Sequence, residues 1–261
     1  MRICPLCSGS GGNASFIEAG DTRLLVDAGV SCRKLCALLE DIGVRPETLS
    51  AILITHEHID HVRGAAVLSK RFGLPIFANR ACHQAMYSQL SEVSRANIRV
   101  FESDEPFMFG QVEILPFSTP HDAAHSVGYR ITHRDKSLTI MTDIGKIDER
   151  LLHRAAGCSL VLIEANHDVD MLMAGAYPYP LKQRILSPMG HLCNEDCARA
   201  AVELAKTGTR TFVLGHLSRE NNYPPLALAA VRAELNEAGF MEEIVVAVAE
   251  RETPSGFFEV A

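Results

Sequence analysis

Residues 53–64 read LITHEHIDHVRG, and three histidines and an aspartate occupy six consecutive positions within this stretch. The stretch opens at the end of an apolar run that is typical of a short buried strand. The four side chains are His56, His58, Asp60 and His61. Neutral imidazoles and a carboxylate are the ligands that zinc, manganese and iron bind in proteins. A row of exposed or capping histidines is the alternative, but so dense a cluster favours a metal site.

The spacing of the cluster suits two cations better than one. Alternate residues of an extended segment project to the same side, so the first two histidines can approach one cation while Asp60 and His61 approach a second. One tetrahedral ion would not use all four side chains and keep a position open for water. Two ions need further ligands, and a carboxylate can bridge cations about 4 Å apart. The candidates are His121, Asp143 and His216.

The composition is that of an ordinary soluble globular protein of 261 residues, with 47% hydrophobic and 22% charged residues. The net charge of −7 leaves no general basic surface for polyanions, so nucleic acid would have to bind through a local patch or through metal ions. No apolar run reaches transmembrane length, and the first residues lack a signal-peptide core. We therefore expect a cytoplasmic protein without a membrane partner.

The eight cysteines are expected to be reduced thiols in that compartment. Cys4 and Cys7 form a CxxC pair that could hold a structural zinc together with Cys193 and Cys197. The second pair is not a CxxC, so plain thiols are the favoured interpretation.

Strand-like segments alternate with helical ones along the chain. The predicted strands are 14–19, 23–27, 51–54, 112–117, 128–131, 138–142, 160–163, 211–214 and 244–249, and the predicted helices are 31–42, 64–72, 195–206 and 225–238. The early hairpin indicates antiparallel pairing, and the later alternation of strand and helix indicates parallel or mixed pairing. We predict an α/β fold in one domain over residues 1–261, with a sheet sandwich covered outside by helices.

Polar residues follow the carboxyl ends of four predicted buried strands. They are His56, Asp143, Glu164 and His216. Loops that leave these strand ends converge in α/β architectures, where the rigid strands hold the side chains of binding and catalytic sites. The four residues are therefore expected to meet at one edge of the sheets.

Several motifs then resemble, in order, the pattern of the metallo-β-lactamase fold superfamily. They are VDAG with Asp27, THEHIDH, His121, TDIG with Asp143 and GHLS with His216. Further stretches resemble the YycJ/WalJ-type hydrolases of that superfamily: SGSGGN (8–13), VDAGVS (26–31), HDAAHSVGY (121–129), EANHD (164–168), GHLCNE (190–195) and GHLSRENN (215–222). The resemblance covers nearly the whole chain. It implies an αββα sandwich with a dinuclear metal site at one edge.

The resemblance also implies a division of the ligands. One ion would be held by His56, His58 and His121, the other by Asp60, His61 and His216, and Asp143 would bridge them. Three histidines suit zinc, and the partner site with its carboxylate suits manganese as well, whereas iron is the weaker alternative. Common zinc β-lactamases have a cysteine where this chain has Asp143, which points to the phosphodiesterase and thioesterase branches.

Two cations that share a water would turn it into a bridging hydroxide, with Asp60 as both ligand and orienting group. A proton donor to the leaving group is also needed. His191, just before a predicted helix, is the first candidate and His167 the second, with Glu164 as the carboxylate that orients one of them. The alternative for both histidines is a structural role, and His133 is expected to be solvated.

Two loops could contact a phosphodiester substrate. The glycine-rich SGSGGN stretch would let a substrate backbone come close, although it lacks the lysine of a P-loop. In the loop after His216, the side chains of Arg219, Asn221 and Asn222 could bind phosphate or sugar. A flexible turn and a solvated turn are the respective alternatives.

The leading hypothesis is therefore a metal-dependent phosphodiesterase, and the subgroup resemblance implies a 5′-to-3′ DNA exonuclease. The first alternative is a small-molecule hydrolase on the same metals: a thioesterase, a lactonase or a cyclic-phosphate diesterase. A non-catalytic sensor and a diiron redox protein are the remaining hypotheses. The exact substrate and the oligomeric state are not predicted.

Overall fold

The computed structural model describes residues 1–240 and 242–260. The strands are β1 (Arg2–Cys7), β2 (Ala14–Ala19), β3 (Thr22–Val26), β4 (Ala51–Leu53), β5 (Ile76–Asn79), β6 (Ile98–Phe101), β7 (Phe107–Phe109), β8 (Val112–Ser118), β9 (Val127–His133), β10 (Lys136–Met141), β11 (Leu160–Glu164), β12 (Thr211–Gly215), β13 (Val245–Val248) and β14 (Phe258–Glu259). The α-helices are α1 (Cys32–Asp41), α2 (Ile59–Val62), α3 (Ala65–Phe72), α4 (Arg80–Ala85), α5 (Glu149–Ala155), α6 (Val169–Ala174), α7 (Tyr179–Ile185), α8 (Asn194–Lys206) and α9 (Pro224–Glu237). Two single 3₁₀ turns lie at Pro46–Thr48 and Arg95–Asn97.

The strands form two seven-stranded mixed sheets. The first has the order β14-β1-β2-β3-β4-β5-β6 and the second the order β13-β12-β11-β10-β9-β8-β7. In each sheet the pairing changes from antiparallel to parallel as the chain proceeds, at β3 in the first sheet and at β10 in the second. The carboxyl ends of the parallel strands therefore point to one edge of each sheet.

Successive side chains of each strand point to opposite faces of its sheet, which explains the four layers. Ile17 and Leu24 point between the sheets, whereas their neighbours Phe16 and Leu25 pack outward against the helical layer of α1 and α3. In the second sheet, inward residues of β11 and β12 likewise alternate with outward residues that pack against α8 and α9. Strands buried on both faces need a near-continuous apolar sequence, which these strands have. The predicted αββα sandwich is confirmed.

Each predicted element matches an observed one to within one or two residues, but the predicted ranges do not include strands β1, β5, β6, β7 and β14 or helices α2, α4, α5, α6 and α7. Strand β1 is absent from the sequence-based prediction, because Pro5 removes a ladder donor and its position coincides with an irregular register against β2. The sequence also predicts Asn194 as the N-cap of the helix over 195–206, and this prediction is wrong, since the Cys193 thiol accepts from the amide of Asp196 instead. The expectation of a single domain stays a prediction.

Three histidines outside the site also have defined places. The prediction that His133 is solvated is wrong: it ends β9 and is buried, because Gly20 of the β2–β3 turn covers it. His83 lies in α4, where its ring contacts the carbonyl of Arg99 at 2.9 Å, and His153 is exposed on α5.

Among the described residues, the helices are too short or too polar to cross a membrane.

Candidate metal centre

The histidine-rich stretch forms the turn from β4 into α2. His56 follows β4, and His58 precedes the first residue of α2, which carries Asp60 and His61. Backbone hydrogen bonds fix this turn against the loop that follows β3, because the amide of Ala28 donates to the carbonyl of His61 at 2.7 Å. The position of the ligands thus depends on a second segment of the chain.

Gly29 is the point of closest approach between these two segments. A Cβ at this position would lie 1.7 Å from the carbonyl oxygen of Asp60, so no side chain fits without displacing the turn. The amide of Asn13 donates to the same carbonyl at 2.8 Å, and its side-chain nitrogen lies 3.1 Å from Nε2 of His61. The glycine of VDAG and the asparagine of SGSGGN are therefore used to place Asp60 and His61.

The first cluster contains His56, His58 and His121. Their ligand nitrogens lie within 4.8 Å of one another. Nε2 of His56 and Nε2 of His121 are buried and have no hydrogen-bond partner. Because an unpaired buried polar atom is costly, three imidazoles arranged in this way fit a cation that all of them face.

The second cluster contains Asp60, His61 and His216, whose ligand atoms also lie within 4.8 Å of one another. His61 and His216 are buried, whereas Asp60 reaches the surface of a cleft. Nε2 of His216 has no hydrogen-bond partner. The two clusters have the same members as the two ligand sets that the family resemblance implies, and their role as ligands stays a prediction.

Asp143 lies between the clusters and follows β10. Its Oδ2 is 3.3 Å from Nε2 of His61, and its Oδ1 is 3.8 Å from Nε2 of His121. Oδ2 is buried without a hydrogen-bond donor. One oxygen therefore faces each cluster, which is the arrangement that a bridging carboxylate needs.

The other ring nitrogen of three buried histidines is held by a neighbouring acceptor. Nδ1 of His61 is 2.8 Å from Oδ2 of Asp27, and Nδ1 of His216 is 2.8 Å from Oε1 of Glu164. Nδ1 of His121 lies 3.2 Å from the carbonyl of Gly190. Such contacts set the tautomer and direct Nε2 toward the centre of the cluster.

Glu164 has a larger role than the sequence predicted. Its Oε1 lies 2.8 Å from Nδ1 of His191 as well as 2.8 Å from Nδ1 of His216, so a single carboxylate orients a predicted ligand and the first candidate proton donor. Its Oε2 accepts from the amides of Ile144 and Leu192. His167, the second candidate, makes no hydrogen bond with it; both ring nitrogens of His167 are buried without partners.

Charge at the centre is arranged for a cation. Asp27, Asp143 and Glu164 are buried, and no lysine or arginine among the described residues forms a salt bridge with them. Burial opposes ionisation, yet the imidazoles of His216 and His61 hold the pKa of Asp143 well below its usual range. Burial likewise opposes the ionisation of Glu164, but His191 and His216 lower the pKa of this carboxyl to about 2. The carboxylates therefore stay charged and need positive charge beside them.

Burial and the neighbouring charges shift the pKa values of the site histidines in opposite directions. Burial would lower the pKa of His61, but Asp143 and Asp27 outweigh it and raise the pKa to about 10. His56 lacks such a partner at its ring, and burial together with its neighbour His61 holds its pKa well below the ordinary value. A divalent cation would supply the positive charge that the carboxylates otherwise draw onto the imidazoles. The residues present therefore fit a pair of divalent cations.

Three residues of the site have left-handed backbone conformations. Asp27, Asp143 and His216 have φ values of 61°, 57° and 55°, and they belong to the few non-glycine residues with positive φ in the described part of the chain. Such conformations cost free energy and persist where the surroundings determine them. Each of the three immediately follows or closely follows a strand, and the sharp change of direction turns its side chain into the centre.

The hypothesis that the two asparagines after His216 bind substrate is wrong, whereas the favoured interpretation of the cysteines as plain thiols agrees with the structure. Asn221 and Asn222 do not face a substrate, because both are buried and Asn222 is paired with Asn194 through two amide hydrogen bonds. The eight cysteines are free, and none belongs to the groups of candidate metal ligands found among the described residues. The structural zinc at Cys4 and Cys7 is therefore not supported.

We predict that Asp27→Asn lowers the affinity for metal about 10- to 100-fold, because it weakens the acceptor that orients His61. The backbone tolerates the change, since asparagine adopts positive φ readily. Metal content after dialysis against a graded chelator measures the effect. Asp104→Asn is the matched control, because Asp104 also has positive φ but binds Ser118 instead of a site histidine. Equal retention of metal by the two variants would contradict the role of Asp27.

Comparisons with known proteins agree with this geometry. The Beta-lactamase superfamily domain matches residues 22–217. Exodeoxyribonuclease WalJ of Streptococcus pneumoniae is 42% identical over 89% of this chain and 87% of its own length. Exodeoxyribonuclease YycJ of Bacillus anthracis is 37% identical over 92% of this chain and 91% of its own.

Among solved structures, Zn²⁺-bound PqqB from Methylobacterium extorquens superposes with a TM-score of 0.74 at 19% identity, over 99% of this chain and all of that one. That likeness bears on the fold alone. The extent of the domain match and the identity to the two exodeoxyribonucleases also establish the family. The chain belongs to the β-lactamase superfamily and, within it, to the family of WalJ and YycJ.

Proposed function

We propose that this protein is a dinuclear metal-dependent phosphodiesterase that degrades DNA from its 5′ end. The observation that carries the proposal is the pair of ligand clusters with Asp143 between them at the floor of an open cleft. The two relatives described above are both named exodeoxyribonucleases, which supports DNA as the substrate.

The ligands divide between two cations. His56, His58 and His121 would hold one, and Asp60, His61 and His216 would hold the other. Asp143 lies near both sets and would bridge them. The three-imidazole set suits zinc, and the set with a carboxylate suits zinc or manganese. When bound, two such cations lower the pKa of a water and offset the charge that develops on a phosphoryl oxygen.

The protein's own side chains then orient the reactants. Asp60 lines the cleft and accepts a hydrogen bond from the attacking water, which directs that water at the phosphorus. His191 lines the same cleft, and its Nδ1 is engaged by Glu164, so Nε2 is the nitrogen that can give a proton to the leaving oxygen. Burial would lower the pKa of His191, but the charge and hydrogen bond of Glu164 raise it above the ordinary value. Glu164 thus orients the ring so that Nε2 would give a proton to the leaving oxygen.

His191 is preferred to His167 as the donor because of position and charge. His167 is buried and is absent from the lining of the cleft, and burial lowers its pKa below the ordinary value. A neutral imidazole without an orienting partner is poorly suited to protonate a leaving group.

The free thiols fit a reducing compartment, and we propose that the protein is cytoplasmic.

One specific observation supports the small-molecule alternative. The cleft has a volume of about 320 Å³, at the lower end of the range for small-ligand sites. A thioester, a lactone or a cyclic phosphate would enter such a space as readily as a terminal nucleotide. Turnover of DNA, thioesters, lactones and cyclic phosphates, measured side by side, distinguishes these classes.

A labelled DNA duplex tests the proposal directly. With Mn²⁺ and with Zn²⁺ in separate reactions, a duplex labelled at one 5′ end should release labelled mononucleotide first, whereas a 3′ label should give a descending ladder. Asp143→Asn should reduce the rate on the order of a thousandfold or more, because the carboxylate between the clusters loses its charge. His153→Asn, on the exposed face of α5, is the control that keeps full activity.

Three results would contradict this proposal. They are unchanged DNA cleavage by Asp143→Asn, initial release of the 3′ label, and turnover of thioesters or lactones by a wild-type protein that leaves DNA intact. Circular dichroism of both variants establishes that the fold is retained.

The proton donor is tested with two leaving groups. We predict that His191→Gln lowers kcat on an oligonucleotide about 10²- to 10⁴-fold and lowers kcat on bis(p-nitrophenyl) phosphate far less, because p-nitrophenolate leaves without a proton. His167→Gln should cause a smaller loss on the oligonucleotide. Equal losses on the two substrates for His191→Gln would mean that this histidine supports the centre instead of protonating the leaving oxygen.

A further inference from the structure

The cleft above the metal centre contains a single fixed positive charge. Carboxylates and histidines make up most of its polar lining, and Arg184 is the one lysine or arginine among the described lining residues. The protein as a whole has a net charge of −7. Within the lining of this cleft, Arg184 is therefore the cationic side chain that a polyanionic substrate can contact.

Arg184 is held at the mouth of the cleft by Asp122. Its Nε donates to Oδ2 of Asp122 at 2.5 Å, and the other oxygen of that carboxylate lies 3.4 Å from Nε2 of His121. One carboxylate group thus separates the guanidinium from a predicted metal ligand. The two terminal nitrogens of Arg184 make no hydrogen bond with the described residues, and the side chain is 61% exposed. These two nitrogens remain available to an anion in the cleft.

The backbone beneath Arg184 is fixed to the loop that carries His191. A Cβ on Gly190 would lie 2.3 Å from the carbonyl oxygen of Arg184, and the amide of His191 donates to the carbonyl of Ile185 at 2.9 Å. The end of α7 and the loop of the candidate proton donor are therefore packed directly against each other.

A buried lysine braces the other side of α7. Nζ of Lys182 donates to the carbonyls of Met173 and Gly175, each at 2.7 Å, and so ties α7 to the end of α6. Tyr177 and Leu181 line the cleft from the same braced segment. Arg184 thus projects from a hydrogen-bonded segment that also contributes an aromatic residue to the lining of the cleft.

We propose that Arg184 binds the phosphate of the nucleotide adjacent to the scissile bond and so sets the position of the DNA end over the metals. The inference rests on the proposed function, and it adds a substrate contact outside the metal centre. A guanidinium with two free amino groups matches two phosphate oxygens, which an ammonium cannot do with the same geometry. The phosphate is either the 5′-terminal one or the next internal phosphodiester.

Kinetics on two substrates test the inference. Arg184→Gln should lower kcat/KM on a 5′-phosphorylated oligonucleotide by about tenfold or more, mainly through KM, because a charge-assisted contact with the substrate is lost. The same variant should keep the wild-type kcat/KM on bis(p-nitrophenyl) phosphate, because that ester carries no second phosphate. Arg184→Lys should keep part of the affinity. Arg199→Gln is the matched control, since Arg199 is similarly exposed and paired with Asp196 on α8, outside the cleft.

Salt dependence gives a readout that a structural role would not change. The slope of log KM against log salt concentration should fall by about 0.7 in Arg184→Gln, the value expected for one phosphate contact on a single strand. Metal content should be the same in all variants. A 5′-hydroxyl oligonucleotide distinguishes the two phosphates: the effect of Arg184→Gln disappears if the terminal phosphate is bound and persists if the internal one is bound.

The inference is overturned by an unchanged kcat/KM on the oligonucleotide, by an equal loss on both substrates, or by a lower metal content in Arg184→Gln. A wild-type protein that hydrolyses the activated ester but no DNA would instead overturn the proposed function. The two failures are therefore distinguishable.

Discussion

Buried negative charge without a lysine or arginine partner is the constraint on which the rest of the site depends. Asp27, Asp143 and Glu164 are buried, and their described partners are histidines, amides and a hydroxyl instead of lysine or arginine. Burying ionised carboxylates is costly, and without a cation they draw protons onto His61 and His216. The cost is offset when divalent cations occupy the space that the Nε2 atoms face. Metal binding is therefore expected to contribute to stability as well as to catalysis.

The fold supplies this arrangement by bringing strand ends from both sheets to one edge. β4 and its following turn provide the histidine-rich stretch, and β10, β11 and β12 deliver Asp143, Glu164 and His216. Left-handed conformations at Asp143 and His216 turn these side chains inward, and two seven-stranded sheets hold the strained residues in place. Glu164 then joins the metal-binding and proton-donating parts of the site through one oxygen, since it contacts both His216 and His191.

The sequence predicts most of the ligand set because its densest part is contiguous and the remainder follows recognisable buried strands. Their positions after such strands are enough to single out Asp143, Glu164 and His216 from the sequence alone. The sequence does not predict contacts that form only through tertiary packing. Examples are the approach of Gly29 to Asp60 and the pairing of Asn222 with Asn194, which join segments far apart in the chain. The same limitation explains why the sequence predicts Asn222 at the surface and does not predict β1, which contains a proline.

Anomalous diffraction from crystals grown with zinc or manganese tests the central claim most directly. We expect two anomalous peaks, one about 2 Å from the Nε2 atoms of His56 and His121 and the other at a similar distance from His61 and His216, with an oxygen of Asp143 bound to each. A single peak would contradict the dinuclear centre. Peaks elsewhere, with these side chains too far apart to coordinate an ion, would contradict the metal site itself.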